Sequence, residues 1–144
     1  MRDAGAKARR TALVALGLAT LALGGGAEVL ARGDVHSRLT IKHNRAVGKD
    51  TFRGRVDARD SACERGRKVK LVGQKPDESK FRAGTAKTNR KGRWKFIPPP
   101  AKGGGYFDEG TRYAEPGEYR AKTRQIRAGG VTCRAAKAGP IHVG

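Results

Sequence analysis

From Leu39 onward the apolar residues of this chain fall on every second position, in short runs broken by glycine, proline and asparagine. Leu39 and Ile41 alternate with Thr40 and Lys42. Phe52 and Val56 flank Gly54, with Arg53 and Arg55 between them, and Val69 and Leu71 are interleaved with Lys68 and Lys70. The pattern returns at Phe81, Ala83 and Thr85, at Trp94 and Phe96, at Tyr119, Ala121 and Thr123, at Val131 and Cys133, and at Ile141 and Val143. Period two marks a strand with one face turned inward. Beyond residue 31 no stretch sustains a 3.6-residue pattern over three turns, so helix is minor. The predicted strands run approximately over 37–43, 52–57, 68–73, 80–88, 93–97, 118–125, 130–134 and 140–143. Seven or eight antiparallel strands without crossover helices make an all-β sandwich.

Turn chemistry agrees. Between the runs ending at Thr88 and starting at Arg93, Asn89 suits the first position of a type I turn. Gly92 supplies the left-handed residue that would let a hairpin close. Pro76-Asp77-Glu78-Ser79 and Gly129-Gly130 mark further turns. Pro98-Pro99-Pro100 ends the Trp94 strand, because proline donates no ladder hydrogen bond. The stretch from Pro98 to Gly117 is long for a connection and carries Gly103-Gly104-Gly105, Tyr106, Phe107 and Tyr113, with the acids Asp108, Glu109 and Glu115. Loops of that length are either functional or loose. No internal repeat is seen, and a single domain is expected.

Ahead of this pattern, Arg2, Lys7, Arg9 and Arg10 precede an apolar run from Thr11 to Leu23, and small residues follow. A basic head, a short apolar middle and a small-residue exit predict a signal peptide over 1–31. The run is 13 residues long, too short for a bilayer, which takes about 20. Cleavage is expected after Ala27 or Ala31, and the latter leaves a polar start at Arg32. The competing account is a buried N-terminal helix, which Gly24-Gly25-Gly26 would end abruptly. No cysteine before Cys63 offers a thiol for a lipid anchor, and Arg9-Arg10 leaves twin-arginine export as a minor route. The mature domain, 32–144, is therefore expected to be secreted, extracellular or held at the envelope, monomeric and free of a transmembrane segment.

The formal net charge is +19, and the leader's four basic and two acidic residues leave +17 on about 113 residues. Such a charge favours anionic partners and says nothing about fold. The two cysteines, Cys63 and Cys133, lie 70 positions apart without C-x-x-C spacing, so a zinc knuckle or redox pair has no support. In an exported chain they are expected to form one disulfide; two free thiols are the alternative.

Several of these runs read together as a pattern: Phe52-Arg53-Gly54-Arg55-Val56, then Val69-Lys70-Leu71, then Thr88-Asn89-Arg90-Lys91-Gly92-Arg93-Trp94-Lys95-Phe96, then Pro116-Gly117-Glu118-Tyr119-Arg120-Ala121. On these residues, covering roughly 51–122, the chain resembles the carboxypeptidase-regulatory-like, transthyretin-type (immunoglobulin-like) sandwich of secreted bacterial proteins. The resemblance implies a non-catalytic scaffold, attached to enzymes or used in adhesion and carbohydrate contact. A true immunoglobulin domain fits less well. Trp94 lies 31 positions past Cys63, and Val131 stands where the tyrosine corner would be.

With Phe52, Val69, Trp94 and Tyr119 inward, Arg53, Arg55, Lys68, Lys70, Arg93, Lys95, Arg120, Lys122 and Arg124 point outward. They are candidates for binding a polyanion such as a cell-wall polymer, an acidic polysaccharide or extracellular nucleic acid. The plainer account, a solvated face whose charge prevents edge-to-edge association, is preferred from sequence alone. Base-specific reading of nucleic acid is not expected, since the strand aromatics are committed to the core. Tyr106, Phe107 and Tyr113 are candidate loop contacts for sugar rings, with Asp108 and Glu109 as acceptors. Packing of the loop onto the sandwich edge is preferred there too.

Asp57, Asp60 and Glu64, and likewise Asp108, Glu109, Glu115 and Glu118, lack the spacing of a calcium loop. His36, His43 and His142 lack metal-ligand spacing. No metal, cofactor or placed nucleophile is expected, and Arg32-Gly33-Asp34 is discounted as a chance tripeptide. The expected function is a non-catalytic module with a structural, adhesion or binding role at the envelope or outside the cell. A cationic polyanion binder is the alternative, and an enzyme accessory domain a remote one.

Overall fold

Alternation builds two facing sheets. The computed structural model describes residues 32–101 and 110–144. The expected leader with both cleavage points, together with Tyr106, Phe107, Asp108 and Glu109, lies outside the described residues. The strands in chain order are β1 (Arg32–Val35), β2 (Ser37–Leu39), β3 (Lys42–Ala46), β4 (Lys49–Ala58), β5 (Lys68–Gln74), β6 (Lys80–Lys87), β7 (Arg93–Phe96), β8 (Gly117–Thr123), β9 (Ile126–Ala128), β10 (Val131–Cys133) and β11 (Ala136–Val143), with one 3-10 turn at Ser61–Cys63.

The first sheet has the order β11-β8-β5-β6 and is antiparallel throughout. The second is organised on β4. Phe52 and Arg53 pair with β3 on one side and β7 on the other, and β2 continues the β3 side. A smaller sheet, β1-β10-β9, sits where the cysteines are. Leu39, Phe52, Val56 and Trp94 from the second sheet meet Val69, Leu71, Tyr119, Ala121 and Val143 from the first. The Phe52 and Tyr119 rings lie 4.7 Å apart, with Phe81 edge-on to Tyr119. Phe52, Val69, Trp94 and Tyr119, the residues expected inward, are all buried.

Three expectations need correction. Eleven strands, not seven or eight, occur among the described residues, because β1 and β9 were not foreseen and 37–43 divides. At the division Thr40 donates its N–H to Arg55 O and accepts the Arg55 N–H on Oγ1, both at 2.9 Å. A Cβ on Gly54 would come within 1.9 Å of Thr40 O, so this close passage requires glycine. Second, β1 and β10 pair in parallel, so the layers are not wholly antiparallel. Third, Asn89 and Gly92 do form the expected turn, with Gly92 N–H on Asn89 O at 3.1 Å and Gly92 at φ 70°. Yet it closes no hairpin, because β6 belongs to the first sheet and β7 to the second. The Val56 N–H bonds to Gly92 O at 2.8 Å, which fastens the turn to β4 and carries the chain across the sandwich.

Cys63 and Cys133 are disulfide-bonded and both fully buried, beside Val131. Next to them runs the Arg67 side chain, 1 % exposed. It donates to Cys63 O (3.0 Å), Arg124 O (2.7 Å), Arg134 O (3.0 Å), Thr123 Oγ1 (3.1 Å) and Ser37 Oγ (3.3 Å). One guanidinium thus joins β2, the 3-10 turn, the end of β8 and the chain leaving β10.

At the other end Asp50 is fully buried. It accepts Arg45 Nε at 2.9 Å and Arg45 NH2 at 3.1 Å, and the Ala114 N–H at 2.7 Å. His43 Nε2 lies 2.9 Å away but is too poorly aligned for a hydrogen bond. Burial pushes this carboxyl up, but Arg45, the Ala114 N–H and the approach of His43 together outweigh it and hold the group below its ordinary value. A carboxyl lowered by folding stabilises above its unfolded value and loses that contribution as pH falls through its folded one. Asp50→Asn is therefore expected to cost about 2 kcal/mol at neutral pH. The variant should also lose stability less steeply below about pH 4, as urea midpoints taken across the acid range would read.

Candidate functional site

The pleat that buries Val69 and Tyr119 turns their neighbours outward, and register then decides which cations meet. On the first sheet Lys137 pairs with Lys122, and Lys122 with Lys70. Three lysines thus form a straight row across β11, β8 and β5. On the next rung Lys68 stands opposite Lys87, with Arg124 just past the end of β8. Like charges directly opposite one another destabilise a sheet. The charge of Arg124 above all, then partial desolvation, then Arg82 and Lys68, hold the Lys70 ammonium below the ordinary lysine value. Among the described residues no ion pair involves Lys68, Lys70, Lys87, Lys122 or Lys137. The one acid in this surface's ion pairs, Glu118, lies 3.6 Å from Arg120 and 3.7 Å from His142.

The second sheet repeats the device. Lys42 pairs with Arg53, and Arg53 with Lys95, in a row across β3, β4 and β7; Arg55 stands opposite Arg93. Here Asp57 at 3.4 Å and Glu64 at 3.6 Å offset Arg55. Neither approaches the Lys42, Arg53, Lys95 row among the described ion pairs.

The nine predicted cations are therefore all outside the core, but they form two groups. Lys68, Lys70, Arg120 and Lys122 lie on the first sheet with Arg124 just past the end of β8, and Arg53, Arg55, Arg93 and Lys95 lie on the second, with the core between. Lys42, Arg82, Lys87 and Lys137 belong with them and were missed. Parity marked Lys42 and Arg82. Lys87 shares the parity of Phe81 and Ala83 and escaped because the register shift opposite Leu71 and Val72 turns Thr85 and Lys87 outward and Ala86 inward. Lys137 escaped because the last strand starts at Ala136 and not at 140.

Tyr113 does not stand out as a contact platform. Its hydroxyl accepts the Gly48 N–H at 2.9 Å and its ring lies 5.3 Å beneath the Arg45 guanidinium, which ties it to the β3–β4 turn. It borders an open cleft with Phe81, Arg82 and Pro98-Pro99-Pro100. The acids near Cys63 have local duties. Asp60 accepts the Ala62 N–H at 2.9 Å, and Glu64 accepts the Ala58 N–H at 3.1 Å. Among the described residues no group of three His, Cys, Asp or Glu could hold a metal. Asp34, of the Arg32-Gly33-Asp34 tripeptide, is paired with Arg134. No helix among the described residues is long and apolar enough to cross a membrane. Compared with protein-family models, curated proteins and solved structures, the chain matches none.

Proposed function

We propose that this chain is an exported, non-catalytic sandwich module, of the carboxypeptidase-regulatory-like type, that binds a linear anionic polymer of the cell envelope through its sheet faces. The observation that carries this is the Lys70, Lys122, Lys137 row, three ammonium groups held in register without a carboxylate partner among the described residues. A merely solvated surface would be cheaper with mixed signs on each rung. Anionic groups laid along the row relieve the repulsion and release the polymer's counterions. Phe52, Phe81, Trp94, Phe96 and Tyr119 all belong to or pack on the core, so recognition through charge is favoured over stacking on bases. The leader and the buried disulfide support export.

Retention on immobilised poly(glycerol phosphate) and on polygalacturonate tests the reading. Elution is expected only well above about 0.15 M salt. The triple variant Lys70→Gln, Lys122→Gln, Lys137→Gln should elute at lower salt while its urea midpoint stays level or rises. Elution of the parent at modest salt, or a variant indistinguishable from it, would remove the proposal.

A further inference from the structure

The two uncompensated rows lie on opposite outer faces. Lys42, Arg53 and Lys95 project from one sheet and Lys70, Lys122 and Lys137 from the other, and the Phe52 and Tyr119 rings pack between them. We infer that the protein is a two-faced bridge, each face taking one anionic polymer strand, so that a single molecule joins two chains. This rests on the polyanion reading above.

Each row spans three strands about 4.8 Å apart, hence about 10 Å, the reach of a few charged repeats. The sheets themselves are about 10 Å apart, and outward side chains place the two rows on the order of 20 Å from each other, facing away. An oligomer lying along one row therefore has the core between it and the other row. Arg55 is partly neutralised by Asp57 of β4 and by Glu64, which follows the 3-10 turn. They sit at one end and leave the row itself uncovered. A binder with a single docking surface has no need of a second row bearing the same like-charge repulsion. Two faces each holding a polymer segment convert weak individual contacts into a network through high local concentration.

Calorimetric titration with galacturonate octamers and, separately, glycerol-phosphate octamers is expected to give two bound per protein. The set Lys70→Gln, Lys122→Gln, Lys137→Gln should reduce this to one, as should Lys42→Gln, Arg53→Gln, Lys95→Gln, and the combined set should abolish it. With the long polymers, light scattering should pass through a maximum at intermediate ratios for the parent and stay flat for either single-face set. Whichever octamer binds identifies phosphate or carboxylate as the chemistry, and binding of both shows that charge spacing alone suffices. One octamer per parent molecule, or a single-face set that still clouds the long polymer, overturns the bridge while sparing the polyanion reading. No binding of either octamer or polymer overturns both.

Discussion

Arg67→Met should cost the fold about 3–4 kcal/mol, which is a large part of what a domain of this size has to lose. The guanidinium is buried without a carboxylate among the described residues, and burial pushes its pKa down from the ordinary value. The charge itself is thus held at a cost, and the return comes from five acceptors on four parts of the chain. Methionine fills much of the volume but takes the guanidinium donors from three carbonyls and two hydroxyls; Cys63 O is left in a buried setting, while Thr123 Oγ1 keeps the Ala136 N–H. Arg67→Lys keeps the charge but offers a compact three-donor head in place of a planar fork. It should recover less than half of the loss. Urea unfolding of both variants measures this. A penalty below about 1 kcal/mol for Arg67→Met would show that the acceptors find other donors and that the hub is dispensable.

The second large effect concerns the disulfide. Cys63→Ala with Cys133→Ala opens a loop spanning 70 positions, and by the loop-entropy model this removes roughly 4 kcal/mol. For a domain near this size, that corresponds to a fall in melting temperature of about 20 °C. Both cysteines are fully buried, so dithiothreitol should act on the native protein only through unfolding. Intact mass after alkylation should show no free thiol in the native state and two after reduction in urea. A double variant melting within a few degrees of the parent would mean that the Arg67 bonds to Cys63 O and Arg134 O already hold this corner without the sulfurs.

Much of the fold was legible because period two carries its own meaning. Phe52, Val69, Trp94 and Tyr119 shared a parity and were found inside, and their cationic neighbours were found outside. Arg67 shares the parity of Val69 and Leu71, and Asp50 that of Phe52 and Val56. Charged side chains are seldom fully buried, yet both lie in the core, as their parity requires. What alternation cannot carry is which strand lies next to which. The Asn89 to Gly92 turn looked like a hairpin because its residues suit one, and only the bond from Val56 N–H to Gly92 O, 36 positions earlier in the chain, sends β7 to the other layer. For the same reason the nine cations could be named without showing that they form opposed rows. Lys122 becomes notable only when β5 and β11 put Lys70 and Lys137 on either side of it.

The crossing at residues 89–92 also bears on how the molecule would survive injury. A protease cutting the exposed Arg90-Lys91 bond would leave one piece with β1 to β6 and another with β7 to β11. Each would own strands of both layers and complete neither. Cys63 would sit on the first fragment and Cys133 on the second, so the nicked halves stay covalently tethered and interleaved for as long as the sulfur link holds.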